Sequence, residues 1–174
     1  LQTWRAFDFV FIIVYPPEQE NKLFQILGNW TNETWAAQNA LVIAEQESQD
    51  LIGIDSLFNW FNKGTSYGLI GDYGNAALAY DQFFQLYEAM PPDDRPYRIF
   101  YWYQTGALKA YYYTGRYQDV IILAGKHLAS IKSPRSLEES LYYRALAEVE
   151  LGLYDSAYED MRQAVYYNEN FKLA

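Results

Sequence analysis

The sequence predicts an all-α fold of about three consecutive helix–turn–helix units, preceded by a strand-like segment. Amphipathic stretches of helical length fill most of the chain after residue 17. A glycine-x-tyrosine tripeptide recurs between such stretches, at Gly71-Asp72-Tyr73, Gly115-Arg116-Tyr117 and Gly152-Leu153-Tyr154. The tripeptides lie 44 and then 37 residues apart. Self-similarity at this spacing is typical of stacked helical repeats.

The first element, residues 1–17, is predicted to be a strand-like remnant of a preceding domain in a longer protein. Phe7, Phe9 and Phe11 alternate with a second, mostly apolar set, so both faces of the strand are expected to be covered. Pro16 and Pro17 end it. Because an uncovered apolar strand promotes association, residues 6–15 are a candidate surface for homo-oligomerisation. The alternative is that they pack against residues 18–48.

Residues 18–48 are predicted to form linker and capping helices. A helix over 18–27 begins at the proline pair and ends at Gly28. A second, over 33–48, carries an apolar stripe of Ala36, Ala40, Ile43 and Ala44. We expect it to cap the stack, because a terminal repeat must differ from the others to stay soluble.

Residues 49–174 contain the repeat array itself. Its first helices are predicted over 55–70, 97–114 and 135–151, and its second helices over 74–88, 117–130 and 154–167. The glycine of each tripeptide is expected to make the turn between the two.

The array resembles the tetratricopeptide repeat, whose signature is Trp-x2-Leu-Gly-x2-Tyr followed by Ala-x3-Phe. The first unit supplies Trp60, Gly64, Tyr67, Ala76, Tyr80 and Phe83 in register, and departs at Lys63. The third supplies Leu141, Ala145, Ala157, Met161 and Ala164, and the second Leu108, Tyr111, Val120 and Ala124. This resemblance covers residues 55–170. It implies a right-handed α-α superhelix with a concave groove lined by the first helices.

The resemblance also implies where a ligand would bind. The repeat register places Phe58, Phe61, Thr65, Trp102, Lys109, Tyr112, Tyr113, Tyr142 and Leu146 in the groove, with Leu69, Thr105 and Val149 beside them. The groove would be rich in tyrosine and poor in charge, which favours an extended apolar or aromatic peptide, or a helix face. Interfaces are enriched in tyrosine, but aromatic stripes also pack between helices, so both alternatives stay open for each aromatic.

A second resemblance concerns the segment "WRAFDFVFIIVYPPEQE". It looks like the strand that closes a C39-like, papain-type cysteine peptidase domain just before tetratricopeptide repeats in some bacterial proteins. The resemblance covers some 17 residues and carries over no catalytic residue, since the family's Cys and His would lie before Leu1. It implies a substrate-presenting arm of such a peptidase as an alternative to a free-standing binding scaffold. A self-association module is the third alternative.

Composition narrows the classes of function. A net charge of −9 without a Lys/Arg run argues against nucleic acid as a partner. No apolar run is long enough for membrane insertion. Without cysteine, these residues offer neither a thiol nucleophile nor a thiolate metal site. We therefore predict no catalysis, metal or cofactor for these residues. The compartment stays open, and export to a bacterial cell surface is compatible with the composition.

Two further features have competing interpretations. His127 is the single histidine, so it lacks the partners that a metal site or a general base would need, and a packing role is favoured. The glycines of "GLIGDYG" resemble a phosphate loop. No strand precedes them and no lysine follows, so a tight turn between helices is favoured.

Overall fold

The computed structural model describes residues 33–48, 51–96, 105–130 and 137–168. All regular secondary structure in these ranges is helical, which confirms the predicted all-α class. The helices are α1 (Glu33–Glu47), α2 (Gly53–Leu69), α3 (Tyr73–Ala89), α4 (Gly106–Tyr113), α5 (Tyr117–Ser130), α6 (Glu138–Glu150) and α7 (Tyr154–Tyr167). A short 3₁₀ turn follows α3 at Pro92–Asp94.

The predicted strand, the helix over 18–27 and the association surface at residues 6–15 lie outside these ranges. So does the start of the predicted helix over 97–114. The domain boundaries at 17/18 and 48/49 stay predictions. The described helices instead fall into two compact modules, an N-terminal one through Arg95 and a C-terminal one from Pro96.

The three helical hairpins turn at the three predicted glycines. Gly71, Gly115 and Gly152 have φ angles of +82°, +73° and +76°. In each turn the amide after the glycine donates to a carbonyl five residues back, at 2.9 Å from Asp72 to Tyr67 and 2.9 Å from Arg116 to Tyr111. The third turn repeats this bond at 2.8 Å, from Leu153 to Glu148. The glycine amide itself donates three residues back, which completes a Schellman motif.

The glycine-rich segment "GLIGDYG" forms the first of these turns. The Asp72 carboxylate accepts from the Asn75 amide at 3.1 Å and from the Asn75 side chain at 2.7 Å. This carboxylate caps the start of α3, where a bound phosphate would otherwise lie. The segment is therefore a capped turn between helices.

The N-terminal module packs α1 on α2 and α2 on α3. The buried face of α1 consists of Ala37, Ala40 and Ala44, and Ile43 is 46 % exposed. The predicted stripe was therefore wrong at Ile43: the helix presents a row of alanines, whose small side chains let α2 approach closely. The buried Asn59 side chain of α2 donates to the Ala44 carbonyl at 2.8 Å across this contact.

The core between α2 and α3 is aromatic. Phe61 meets Tyr80 and Phe83 edge-on, with ring centroids 5.9 Å and 5.2 Å apart. Edge-to-face contacts of this kind contribute about 0.5–1.5 kcal/mol beyond the area that they bury. Lys63, which departs from the repeat signature, is also buried, and its ammonium lies 4.6 Å from the centroid of the Trp60 ring.

The C-terminal module packs α4 on α5, α5 on α6 and α6 on α7, and α4 also contacts α6. An ion pair joins α6 to α7, because the Arg144 guanidinium binds both carboxylate oxygens of the buried Asp160. His127 of α5 is 1 % exposed, and its Nδ1 lies 3.2 Å from the Ser140 hydroxyl of α6. Burial lowers the pKa of His127 to about 4, so the ring is neutral at pH 7 and has a packing role.

Candidate peptide-binding surface

The strongest candidate for a functional site is the seam between α4 and α6 in the C-terminal module, which we call the tyrosine seam. The two helices correspond to the first helices of the second and third predicted repeats. Their direct contact places side chains of both on one surface. The seam consists of Thr105, Lys109, Tyr112, Tyr113, Glu139, Tyr142, Tyr143, Leu146 and Glu150.

Two hydrogen bonds hold the ends of the seam together. The Thr105 hydroxyl donates to Glu139 Oε2 at 2.5 Å. About two turns further along, the Tyr112 hydroxyl donates to Glu150 Oε1 in a longer bond of 3.4 Å. The Thr105–Glu139 bond is short and charge-assisted, whereas the Tyr112–Glu150 contact is long and therefore weak. Both join α6 to the α4 side of the seam.

The middle of the seam is a cluster of aromatic rings. Tyr112 lies 6.4 Å from Tyr143 across the two helices, and 5.4 Å from Tyr113 and 5.7 Å from Tyr117, between ring centroids. Tyr142 extends the cluster, 5.3 Å from Tyr143. Most of these rings are half-buried, and Tyr113 is 57 % exposed. Rings fixed by one another and still accessible lose little entropy when a ligand binds.

The surroundings of Tyr112 favour its neutral phenol. Burial raises the pKa of the Tyr112 phenol, and the negative charge of Glu150 raises it further. Both effects favour the protonated phenol, which donates to Glu150.

Two apolar side chains continue the surface along α6. Leu146 lies one helical turn after Tyr142 and is half-buried, and Val149 is 47 % exposed. On α4, Lys109 lies one turn after Thr105 and one turn before Tyr112 and is half-buried. Among the seam residues, Lys109 is the single cation.

The groove residues predicted in the first repeat have a different setting. Phe61 is 4 % exposed and belongs to the aromatic core, so of its two alternatives the structure supports packing. Thr65 donates to the Phe61 carbonyl at 3.2 Å, and its hydroxyl lies 3.2 Å from that of Tyr80. Phe58 is half-buried. Trp102 lies outside the described residues.

Five of the nine predicted groove residues lie on the two helices of the seam: Lys109, Tyr112, Tyr113, Tyr142 and Leu146. That they bind a ligand stays a prediction. Sequence reasoning missed Tyr143 and the two carboxylates of the seam. The sequence does contain a signal for them. The 4-3-4 spacing of one helix face is followed by Glu139, Tyr143, Leu146 and Glu150. The repeat signature does not mark this face, because its position depends on the contact between α6 and α4.

The described ranges contain neither a metal-binding cluster nor a membrane-spanning helix. No group of three or more His, Asp or Glu side chains there is arranged to hold a metal ion. No helix within the same ranges is both long and apolar enough to cross a membrane.

Comparisons of the chain with protein-family models, with curated proteins and with solved structures gave no match.

Proposed function

We propose that this chain is a non-catalytic scaffold of the tetratricopeptide type that binds a protein or peptide at the tyrosine seam. The observation that carries the proposal is the accessible aromatic cluster between α4 and α6. Clustered tyrosines in a partly desolvated setting are typical of the residues that dominate binding energy at protein interfaces.

The repeat class is supported by local geometry. The three Schellman turns have the same hydrogen bonds at the three glycine-x-tyrosine tripeptides. In the first repeat, a Cβ atom built on Gly64 would lie 2.9 Å from ring atoms of Tyr80, so the absence of a side chain at Gly64 makes room for this ring. The right-handed superhelical stacking of the repeats is part of this proposal.

The seam indicates the chemistry of the partner. Its rings, with Leu146 and Val149, suit apolar or aromatic side chains. The carboxylates of Glu139 and Glu150 accept hydrogen bonds, so they suit the backbone amides of an extended segment and disfavour acidic side chains. A clamp for a terminal carboxylate would need several cations, and among the seam residues only Lys109 is one.

Peptide selection with the full chain tests the proposal. Random peptides displayed on phage would be selected on the immobilised protein, and their affinities measured by fluorescence anisotropy. We expect selected peptides to be rich in aromatic and aliphatic residues and poor in Asp and Glu. Tyr113→Ala combined with Tyr142→Ala should weaken their binding at least about tenfold, since hot-spot truncations cost 1–2 kcal/mol or more.

The matched control is Tyr166→Ala, which removes an exposed tyrosine of α7 outside the seam. It should leave the affinity unchanged, and circular dichroism should show intact helices for all variants. Selected peptides that bind the double variant as tightly as the wild type would refute the seam as the site. A failure to select any peptide would refute the peptide-binding function itself.

A further inference from the structure

One face of α7, away from the tyrosine seam, carries a continuous row of exposed apolar side chains. Tyr154, Tyr158, Met161 and Val165 are 67 %, 72 %, 39 % and 52 % exposed. Their 4-3-4 spacing places them in a single stripe along the helix. We call this row the α7 stripe. Contiguous apolar patches of this kind on a soluble protein mark interaction surfaces.

The preceding repeat shows what happens to the same positions when helices lie on both sides. Counted back by the 37-residue spacing, the stripe corresponds to Tyr117, Ile121, Ala124 and Leu128 of α5. Helix α5 packs against both α4 and α6. Its four counterpart residues are buried or half-buried, and Ala124 is fully buried. Helix α7 packs against α6, and no described helix follows it in the chain. Among the described helices, none covers the stripe as α4 and α6 cover its counterparts in α5.

The charges beside the stripe match a particular occupant. Asp155 and Arg162, seven residues apart, lie on the same edge of the stripe, and both are exposed. Glu159 holds the Arg162 guanidinium through two hydrogen bonds of 2.9 Å and 2.7 Å, which fixes its position at this edge. The acid thus stands near the start of the stripe and the base near its end.

We propose that the α7 stripe is a two-fold interface with a second copy of this chain, formed by two antiparallel α7 helices. Antiparallel pairing places Tyr154 opposite Val165 and Tyr158 opposite Met161, so that a large side chain meets a smaller one throughout. It also places Asp155 opposite Arg162 of the second copy, twice by symmetry. A parallel pair would set Asp155 against its own equivalent. The interface is isologous and closed, so it yields a dimer and not a filament.

The interface is small, since α7 has 14 residues. Interfaces of this size give weak, concentration-dependent association. Sedimentation velocity of the full chain from dilute to concentrated protein should therefore show a monomer–dimer equilibrium. Tyr158→Arg should weaken dimerisation at least about tenfold, because it buries a charge at the centre of the stripe. Ser156→Arg introduces the same charge at an exposed position of α7 away from both the stripe and the edge that carries Asp155 and Arg162, so it should leave the equilibrium unchanged.

Charge reversal tests the antiparallel register. Asp155→Arg and Arg162→Asp should each weaken the dimer, because each sets like charges opposite one another. The double variant should restore it. The chain has no cysteine, so single-cysteine variants report the orientation directly. A mixture of Tyr154→Cys and Val165→Cys proteins should form the mixed disulfide, and Tyr154→Cys alone should not form a disulfide-linked dimer.

Several outcomes would overturn the proposal. Wild-type protein that stays monomeric at all concentrations would do so, and a dimer that appears only after removal of residues 169–174 would assign the stripe to that segment. A dimer unaffected by Tyr158→Arg would place self-association elsewhere, for instance at residues 6–15. A monomer that binds a different protein through the stripe would identify a heterologous partner.

Discussion

Gly64 is the residue at which helix spacing in the N-terminal module is most sharply set. An added Cβ would lie 2.9 Å from Cε1 and Cζ of Tyr80, closer than real Cβ contacts allow. Tyr80 is 2 % exposed, packs against Phe61, and its hydroxyl lies 3.2 Å from that of Thr65. The ring therefore has little room to move away.

We predict that Gly64→Ala destabilises the protein by about 1–3 kcal/mol, the usual cost of overpacking, in spite of the better helix propensity of alanine. Urea unfolding would measure the change. Gly68→Ala is the matched control, since it lies on the same helix with nothing within 4 Å of an added Cβ. It should stabilise or leave the protein unchanged. Equal stability of the two variants would show that the Gly64–Tyr80 contact is not tight.

Glu148 is a single buried carboxylate whose loss of hydration lowers the stability of the folded protein. It is 7 % exposed, and its Oε2 accepts no hydrogen bond from the part of the chain that the structure describes. Loss of hydration raises its pKa, and the nearby charge of Asp160 raises it further, while Arg144 partly offsets both. The folded protein therefore holds a proton on Glu148 more readily than the unfolded chain does.

The sign of the pH dependence follows from this difference. Where the folded state binds more protons than the unfolded state, the free energy of unfolding falls as pH rises. The cost of Glu148 is thus present at neutral pH and is relieved as pH falls through its raised pKa. We predict that Glu148→Gln is more stable than the wild type at pH 7, and that the gap narrows toward pH 5. Urea unfolding at both pH values tests this, and a gap that widens at pH 5 would contradict it.

At the scale of elements, the three hairpin turns share one backbone conformation, with a left-handed glycine. Each glycine adopts a left-handed conformation that costs other residues about 1–2 kcal/mol. At Gly115, nothing lies within 4 Å of an added Cβ, so its requirement is conformational and not steric.

We therefore predict that Gly115→Ala lowers stability by about 1 kcal/mol. Gly125→Ala, in the middle of α5 with equally open surroundings, should raise it by about 0.5–1 kcal/mol. Thermal unfolding of both variants compares the two effects in neighbouring elements. If both alanines shifted the transition in the same direction, the turn conformation would not be the limiting factor.

At the scale of the whole molecule, the net negative charge opposes self-association. A net charge of −9 keeps copies of the chain apart at long range, so self-association needs local complementarity of the kind that Asp155 and Arg162 offer. Within the C-terminal module, the tyrosine seam belongs to α4 and α6 and the stripe to α7. The proposed ligand binding and the proposed dimerisation therefore involve different helices, so variants of one surface should leave the other function unchanged.

Sequence by itself determined the helical class, the three turns and most helix positions. Glycine positions, amphipathic spacing and repetition are local features of the sequence, so they indicate helices and turns without any knowledge of which helices pack together. The helices over 117–130 and 154–167 lie where the periodicity predicts them. The nine groove residues stay a prediction; five of them lie on α4 and α6, because the repeat register is also a local pattern.

Only the tertiary structure decided which aromatic residues are accessible. Phe61 and Tyr113 look alike in the repeat pattern, yet Phe61 lies in the core and Tyr113 is 57 % exposed. On α1, likewise, the larger Ile43 is exposed and the smaller Ala37 is buried, because a row of alanines faces α2. The physical reason is that burial depends on the neighbouring helix. Periodicity states that a helix has an apolar face, and only packing determines whether a side chain on it meets a ring, a carboxylate or water.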